Sequence, residues 1–320
     1  MRKGGLGLER PLSSLTITRM ARAPRTVVIT VPASTSNLGS GFDTLGLALN
    51  LRTEIRLSIA AGKGVKIVSP IAVEDRVMAE AMAAEAARQF FKRAGKSGFG
   101  FQIALKGNVP VARGLGYSAT ARLGVVAGLN ELTDAGWSRQ ELLELVTGLE
   151  GHPDNASPAI FGGFTVAGRV GERVCCLRFS VSPKLKLVTL IPPLKINTEK
   201  ARRLLPESFS KMDAAHSLNR AALITAAFAS QHYDGLRGLF DDRFHQPHRE
   251  PLIPRLSRVI RAAEAAGAIG GFLSGSGSAI VCLTLATPRK VAFAMQKEWP
   301  DSEVRILVTE NAGFEVAEPT

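Results

Sequence analysis

A glycine-rich segment that leads directly into a helix limits the possible folds of this chain more than any other feature. Residues 110–120 read PVARGLGYSAT, and apolar residues recur at helical spacing from about Ser118 to Leu132. Backbone N–H groups at the start of a helix, reinforced by the helix dipole, bind anions. The segment therefore predicts a phosphate site at a helix N-terminus, in a fold that contains both helices and strands.

Two further glycine-bearing segments lie at the ends of predicted strands. Residues 32–46, PASTSNLGSGFDTLG, follow the strand-like run 26–31, and residues 270–278, GGFLSGSGS, connect two predicted strands. Glycine lets main-chain N–H groups approach a ligand closely. Any one of these loops could be an ordinary turn, but three of them, one opening a helix, favour a phosphate-binding site.

Other phosphate-binding arrangements fit the sequence poorly. Gly114, Gly116 and Ala119 match the dinucleotide fingerprint G-x-G-x-x-G/A, but residues 108–113 separate this string from the preceding strand and a second helix follows it. The chain also lacks a G-x-x-x-x-G-K-[ST] loop and the H-R-D and D-F-G strings of protein kinases. ATP, if bound, is therefore bound in another way.

Helical and strand patterns are intermixed along the chain, which indicates an α+β or α/β fold. The predicted strands are 26–31, 53–59, 65–68, 99–105, 185–191, 268–273, 279–285 and 303–309. The predicted helices are 77–94, 118–132, 138–149, 198–205, 213–230 and 255–266. Ser138 and Glu141 form a capping-box pattern at the start of one of them. A boundary between residues 168 and 184 would divide the chain into two similar halves.

The charge of the chain favours small anionic ligands over nucleic acid. Forty Lys and Arg residues against 28 Asp and Glu give a net charge of +12, and residues 1–24 are predicted to form a basic N-terminal arm without fixed structure. The other basic residues are dispersed, with only two Tyr and two Trp in the chain. No nucleic-acid partner is therefore expected, and the positive charge is better explained by anionic substrates.

Neither a membrane span nor a disulfide framework is expected. The uncharged stretch 265–288 is long enough to cross a bilayer, but five glycines interrupt it, so we interpret it as two strands joined by a turn. The three cysteines are odd in number and show neither disulfide nor zinc spacing. These features favour a cytoplasmic protein.

Four strings resemble, in order, the motifs of the homoserine kinase family, which is part of the GHMP small-molecule kinase superfamily. They are VPASTSNLGSGFDTLGLAL (31–49), VPVARGLGYSATA (109–121), EGHPDNASPAIFGG (150–163) and FLSGSGSAIV (272–281). The resemblance implies a two-domain α+β fold, with a ribosomal S5 domain 2-like, ATP-binding half at 25–175 and a ferredoxin-like half at 176–320. It also implies phosphorylation of the L-homoserine hydroxyl by ATP and Mg²⁺, on the route to threonine.

The resemblance assigns the ATP phosphates to the glycine loops. The implied phosphate-binding residues are Pro110, Arg113, Gly114, Leu115, Gly116, Tyr117, Ser118, Ala119, Thr120, Gly275 and Gly277. Ser118 and Glu150 would hold Mg²⁺, which prefers a few protein oxygens together with phosphate oxygens. Taken alone, Glu150 fits a solvated helix end better, and His152 fits a hydrogen-bonded turn residue better.

The resemblance also implies a set of residues for the amino-acid substrate and for catalysis. The implied substrate-binding residues are Asn37, Asp43, His152, Asn155, Arg202 and Arg249, and the implied catalytic residues are Thr198, Asn155 and Ser118. Asp43 would face the substrate ammonium, while Arg202 and Arg249 would bind its carboxylate through their forked donors. Asn155 would lie near the acceptor hydroxyl with His152 beside it, and Thr198 near the γ-phosphate.

Three departures from the family pattern leave alternatives open. Tyr117 replaces the first serine of the usual G-L-G-S-S-A string, Ser40 replaces a proline, and Arg76 replaces an asparagine that often contacts adenine. The alternatives are another GHMP small-molecule kinase and a catalytically impaired ligand-binding relative. The expected partners are L-homoserine, ATP and a second copy of the chain in a homodimer.

Overall fold

The computed structural model describes residues 26–317. The basic arm expected over residues 1–24 lies outside the described residues. The described chain folds around two β-sheets, each covered by helices on one face.

The first sheet has seven strands and carries most of the sequence before residue 180. Its strands are β1 (Thr26–Ser36), β2 (Leu45–Ala60), β3 (Val65–Ile67), β4 (Gly100–Gly107), β5 (Phe164–Val170), β6 (Arg173–Phe179) and, from the C-terminal end, β11 (Glu315–Ala317). Their order is β11-β1-β2-β4-β3, and β5 pairs with both β2 and β6. All pairs are antiparallel except β3 with β4.

Four helices cover one face of this sheet. They are α1 (Val73–Ala94), α2 (Tyr117–Thr133), α3 (Arg139–Glu150) and α4 (Ala156–Phe161). Their apolar side chains form one buried cluster with those of β1, β2 and β4. At the start of α3 the predicted capping box is confirmed: the Ser138 side chain accepts from the Glu141 N–H while the Glu141 side chain accepts from the Ser138 N–H.

A bulge in the β1–β2 pair directs the two strands into two different cores. The pairing register shifts between Pro32 and Ala33. Before the shift Val31 packs against the helices, whereas after it Ala33 and, on β2, Leu49 pack against the second sheet. Because side chains alternate along a strand, only such an irregularity lets residues 31 and 33 face opposite sides.

The second sheet is four-stranded and antiparallel throughout. It consists of β7 (Lys186–Ile191), β8 (Gly270–Leu273), β9 (Ile280–Thr284) and β10 (Glu303–Leu307), in the order β10-β7-β9-β8. The helices of this half are α5 (Thr198–Arg203), α6 (Lys211–Ala229), α7 (Gln246–Arg249), α8 (Leu256–Ala265) and α9 (Pro288–Glu298). The two central strands, β7 and β9, are the first and third of this sheet in chain order, and α8 and α9 cover one of its faces. This is the ferredoxin-like arrangement implied by the resemblance.

The two sheets meet through a shared apolar cluster. Phe164 of β5 stacks on Phe228 of α6 with ring centroids 4.3 Å apart, and both side chains are fully buried. The boundary expected between residues 175 and 176 falls inside β6; the chain changes sheet only between Phe179 and Lys186. It returns to the first sheet at its end, where β11 pairs with β1.

The sequence located most elements, and the differences discussed next have physical causes. The stretch 265–288 forms β8 and β9, and within residues 26–317 no helix combines the length and apolarity that a membrane span requires. Helix α4 was not predicted because its six residues include Pro158 and show no helical repeat. Strand β2 begins at Leu45, well before the predicted 53, because it extends beyond the bulge.

Candidate active site

The three glycine loops contact one another at the junction between the two sheets. The Gly275 N–H donates to the Ser36 carbonyl at 3.2 Å, and Ser274 Oγ donates to the Gly114 carbonyl at 2.7 Å. A Cβ on Gly114 would lie 2.1 Å from the Ser274 carbonyl oxygen, so only glycine allows this approach. The three loops therefore converge at one place in the fold.

The second loop ends at an uncapped helix N-terminus. Gly116 takes the N-cap position of α2 with φ of 70°, and no side chain among the described residues caps this end. The first-turn N–H groups are thus available to an anion. The side chains of Leu115, Ala119 and Thr120 are buried, so these predicted phosphate residues could contribute only their backbone.

Asn155 connects the start of α2 with the first loop. Its Oδ1 accepts from Ser34 Oγ at 2.9 Å and its Nδ2 donates to Ser36 Oγ at 3.0 Å. A Cβ on Gly116 would lie 3.1 Å from the same Oδ1. Its Nδ2 also donates to the Asp154 carboxylate at 3.3 Å, and this acceptor sets the orientation of the amide beside the helix N-terminus.

Asp43 and Arg202, assigned opposite ends of the same substrate, pair with each other in the described structure. Both guanidinium Nη atoms donate to the two carboxylate oxygens at 2.9 Å. Asp43 adopts a φ of 54°, which acidic and amide side chains tolerate better than most. The pair is partly exposed and is accessible to a ligand.

His152 and Asp154 form a second charged pair next to Asp43. His152 Nδ1 lies 2.5 Å from Asp154 Oδ1. Burial alone would lower the pKa of His152, but the hydrogen bond and charge of Asp154, and the charge of Asp43, outweigh burial and raise that pKa. Donor atoms of the three side chains lie within 4.8 Å of one another. With Arg202 on Asp43, the cluster brings two carboxylates, an imidazole and a guanidinium together.

Arg249 lies deeper in the site than its predicted role suggests. Its side chain is only 2% exposed; Nε donates to the Ala201 carbonyl at 3.4 Å and Nη1 donates to the Gly275 carbonyl at 2.9 Å. Burial, followed by repulsion from Arg202, lowers the pKa of Arg249 to about 10. Nη2 makes no hydrogen bond within residues 26–317, so a ligand could reach only that atom.

Asn37 is also buried, and both ends of its amide are engaged. Oδ1 accepts from the Asp43 N–H at 3.1 Å and Nδ2 donates to the Gly275 carbonyl at 3.1 Å. One N–H of Nδ2 and one lone pair of Oδ1 are not used by these bonds, so the direct substrate contact expected of Asn37 stays a prediction. Its geometry holds Asp43 against the third loop.

The third loop also meets α5 through Thr198. Thr198 Oγ1 lies 3.1 Å from the Oγ of Ser276, the residue between Gly275 and Gly277 in the sequence. Gly275 contributes to the loop contacts, whereas a Cβ on Gly277 would meet the apolar side chains of Ile253 and Leu273. Both predicted glycines border the second loop, because a Cβ on Gly114 would lie 2.9 Å from the Gly277 nitrogen and a Cβ on Gly275 would lie 3.3 Å from the Gly114 carbonyl oxygen.

The oxygens expected to bind Mg²⁺ are adjacent. Ser118 Oγ donates to Glu150 Oε1 at 2.7 Å, so a hydroxyl and a carboxylate meet at the start of α2. This donor set fits a cation that takes few protein oxygens and shares phosphate oxygens. Arg122 also donates to both atoms, a contact that the sequence did not indicate.

The three departures occupy distinct positions. The Tyr117 side chain packs against the cluster between the sheets, and burial, then the charge of Asp75, raises its pKa. Arg76 Nη2 donates to the Ser69 carbonyl at 3.4 Å. Ser40 is buried, and its hydroxyl has no hydrogen-bond partner within the described residues.

Several site residues were not predicted. Phe42 lies beneath both arginines, 5.1 Å from the Arg202 guanidinium and 5.3 Å from that of Arg249. His245 is fully buried; its Nε2 donates to the Gly39 carbonyl at 2.9 Å, so its Nδ1 can accept from Arg249. A lone phenylalanine or histidine has no spacing pattern that could have identified these roles.

Comparisons with known proteins match both halves of the chain. The family models described as GHMP kinases N terminal domain and GHMP kinases C terminal match residues 81–163 and 214–301. A homoserine kinase of Moorella thermoacetica is 37% identical over 285 residues, which cover 89% of this chain and 96% of that protein. The crystal structure of homoserine kinase from Cytophaga hutchinsonii matches with a TM-score of 0.81 at 26% identity, over 91% of this chain and 97% of that one.

A more distant structure shares the fold alone. The mevalonate kinase of Methanococcus jannaschii is 14% identical and matches with a TM-score of 0.67, over 89% of this chain and 98% of that one.

Proposed function

The chain belongs to the homoserine kinases within the GHMP kinase family, and from this we propose that it transfers the γ-phosphoryl group of ATP to the side-chain hydroxyl of L-homoserine. The products are O-phospho-L-homoserine and ADP. As in the family, the reaction would serve threonine synthesis.

One observation carries the proposal: Asn155 lies between an uncapped helix N-terminus and a pair of opposite charges. On one side, its Oδ1 faces Gly116 at the start of α2. On the other side, its neighbour Asp154 reaches His152, next to Asp43 and Arg202. A phosphate donor and a charged acceptor bound at these two places would meet at Asn155.

The acceptor site suits a zwitterionic amino acid. An ammonium group would pair with Asp43 and a carboxylate with Arg202, replacing the bond between these two side chains. We assign Nη2 of Arg249 as a second carboxylate donor, and we assign Asn37 the task of holding Asp43 in place. An acceptor without both charges would leave one partner of the broken pair unsatisfied.

The chemistry requires positioning and neutralisation of charge more than a strong base. In phosphoryl transfer the charge is spread over the equatorial oxygens and the two reacting oxygens are in line. The first-turn N–H groups of α2 and the Thr198 hydroxyl would bind the transferring group, while Asn155 orients the acceptor hydroxyl. Family resemblance implies that no side chain removes the hydroxyl proton directly.

Ser118 and Glu150 are the residues that we assign to Mg²⁺. The ion would supply positive charge to the ATP phosphates. A cytoplasmic location and a homodimer remain predictions; the dimer is tested by measuring the mass of the protein in solution.

The proposal is tested by measuring ADP release from Mg-ATP with and without L-homoserine. L-threonine, mevalonate and a mixture without acceptor serve as controls, and ³¹P NMR identifies the product. Homoserine-dependent turnover is expected. Turnover on another acceptor would indicate a different GHMP kinase, and binding of homoserine without turnover would indicate an impaired relative.

A further inference from the structure

Arg122 places a guanidinium against the two oxygens assigned to the metal. It lies on α2, one turn after Ser118, and its Nη1 donates to Ser118 Oγ at 3.0 Å and to Glu150 Oε1. The Arg122 side chain is 19% exposed and that of Glu150 is 9% exposed, so water screens the pair only weakly. A positive side chain therefore neutralises Glu150 when no ligand is bound.

A metal ion and this guanidinium cannot use the same carboxylate oxygen. Glu150 Oε1 already accepts from both Ser118 and Arg122. A divalent cation on that oxygen would be repelled by a guanidinium within a few ångströms, and the repulsion is strong where water is largely excluded. Binding of the ion between Ser118 and Glu150 is therefore opposed as long as Arg122 stays on these two oxygens.

The charge of Arg122 also acts on a second carboxylate, Glu85 of α1. Glu85 of α1 is 40% exposed and pairs with Arg88. Hydrogen bonds from Gln89 and Arg88 lower the pKa of the Glu85 carboxyl, and the charge of Arg122 lowers it further.

We propose that Arg122 competes with the divalent cation for Glu150 and so sets the metal requirement of the enzyme. This inference rests on the proposed function, which requires Mg²⁺. It adds Arg122 as a residue that acts on the metal through Glu150. The nucleotide-free protein binds the ion weakly, because the guanidinium opposes it. The ion would instead bind together with the nucleotide phosphates, because their negative charge offsets the positive charges of the ion and of the Arg122 guanidinium.

The test measures Mn²⁺ binding to the nucleotide-free protein through the EPR signal of the free ion. Arg122→Leu removes the positive charge and puts in its place an apolar residue that favours helices. The Kd for Mn²⁺ should then fall on the order of tenfold. Arg122→Gln should give the same gain if the leucine variant does not fold. Arg93→Leu is the matched control, because Arg93 also pairs with a glutamate of α3, Glu144, at 2.6 Å.

Two results would overturn the inference. One is an unchanged Kd in both Arg122 variants, and the other is a gain that persists when Glu150→Gln is added to Arg122→Leu. Homoserine-dependent ADP release is measured on the same wild-type preparation. If that turnover is absent while the Arg122 variants gain Mn²⁺ affinity, the proposed function fails and the competition for Glu150 stands.

Discussion

Arg202 and Arg203 are neighbours on α5 with different surroundings. Arg202 forms two hydrogen bonds with Asp43, whereas Arg203 is 81% exposed and lies 3.5 Å from an equally exposed Glu199. Arg202→Gln should raise the KM for homoserine by about 10- to 100-fold, because a hydrogen bond to a charged group contributes about 1.5–3 kcal/mol. The KM for ATP should stay within about twofold, as measured by steady-state kinetics.

Arg203→Gln provides the control for this prediction. An exposed ion pair contributes about 0–1 kcal/mol, so this variant should keep both KM values. Equal losses in the two variants, or an equal effect of Arg202→Gln on ATP and homoserine, would remove Arg202 from the acceptor site.

His245 should make the folded state sensitive to acid. Burial, together with the positive charge of Arg249, lowers its pKa to about 4, although Asp242 acts in the opposite direction. The folded state therefore favours the neutral ring. Its contribution to stability is complete above the unfolded pKa of about 6.5 and is lost as the pH falls towards 4.

The acid effect is measured by urea unfolding between pH 7 and pH 4.5. In the wild type, the His245 contribution to the free energy of unfolding should fall by up to about 3 kcal/mol over this interval. His245→Gln should show a shallower pH dependence, while His232→Gln, at an exposed position, should follow the wild type. Parallel curves for all three proteins would exclude His245 as the titrating group.

At the scale of the element, the start of α2 contains Tyr117, one of the three departures from the family pattern. Tyr117 packs against the cluster between the sheets, so Tyr117→Ser trades apolar contact for a small hydroxyl near the helix N-terminus. It should lower the KM for ATP a few-fold and destabilise the protein by about 1–2 kcal/mol. The KM for homoserine should not change; a change there would place Tyr117 in the acceptor site.

Elements were predictable from sequence where the pattern is local. The capping box at Ser138 and the helical spacing after Ser118 depend on residues three and four apart, and both helices are present. The β1–β2 bulge was not predictable, because it arises from the pairing of Pro32 with Arg52 and Ala33 with Leu49 across the sheet. Periodicity within one strand contains no information about that register.

At the scale of the whole molecule, the cluster between the sheets should make the two halves unfold together. Phe228 is fully buried and stacks on Phe164, whereas Phe293 is 73% exposed. Phe228→Ala should lower the free energy of unfolding by about 3–5 kcal/mol. Phe293→Ala should change it by less than about 0.5 kcal/mol.

The two tryptophans report on this coupling separately. Trp137 packs with the helices on the first sheet and Trp299 with those on the second. In urea, Trp137→Phe and Trp299→Phe proteins should show coincident fluorescence transitions. Separate transitions would show that the halves are independent domains.

The sequence by itself determined the family, the two-domain α+β class and the three glycine loops, because those features reside in short contiguous strings. Only the tertiary structure decided that Asp43 pairs with Arg202, that Asn37 and Arg249 are buried, and that Arg122 reaches Glu150. The Asp43–Arg202 pair joins residues 159 positions apart, and the Arg122–Glu150 pair joins residues 28 positions apart. The burial of Asn37 and Arg249 depends on how other parts of the chain pack around them. Such charges and burials are set by the folded neighbourhood, which no local pattern encodes.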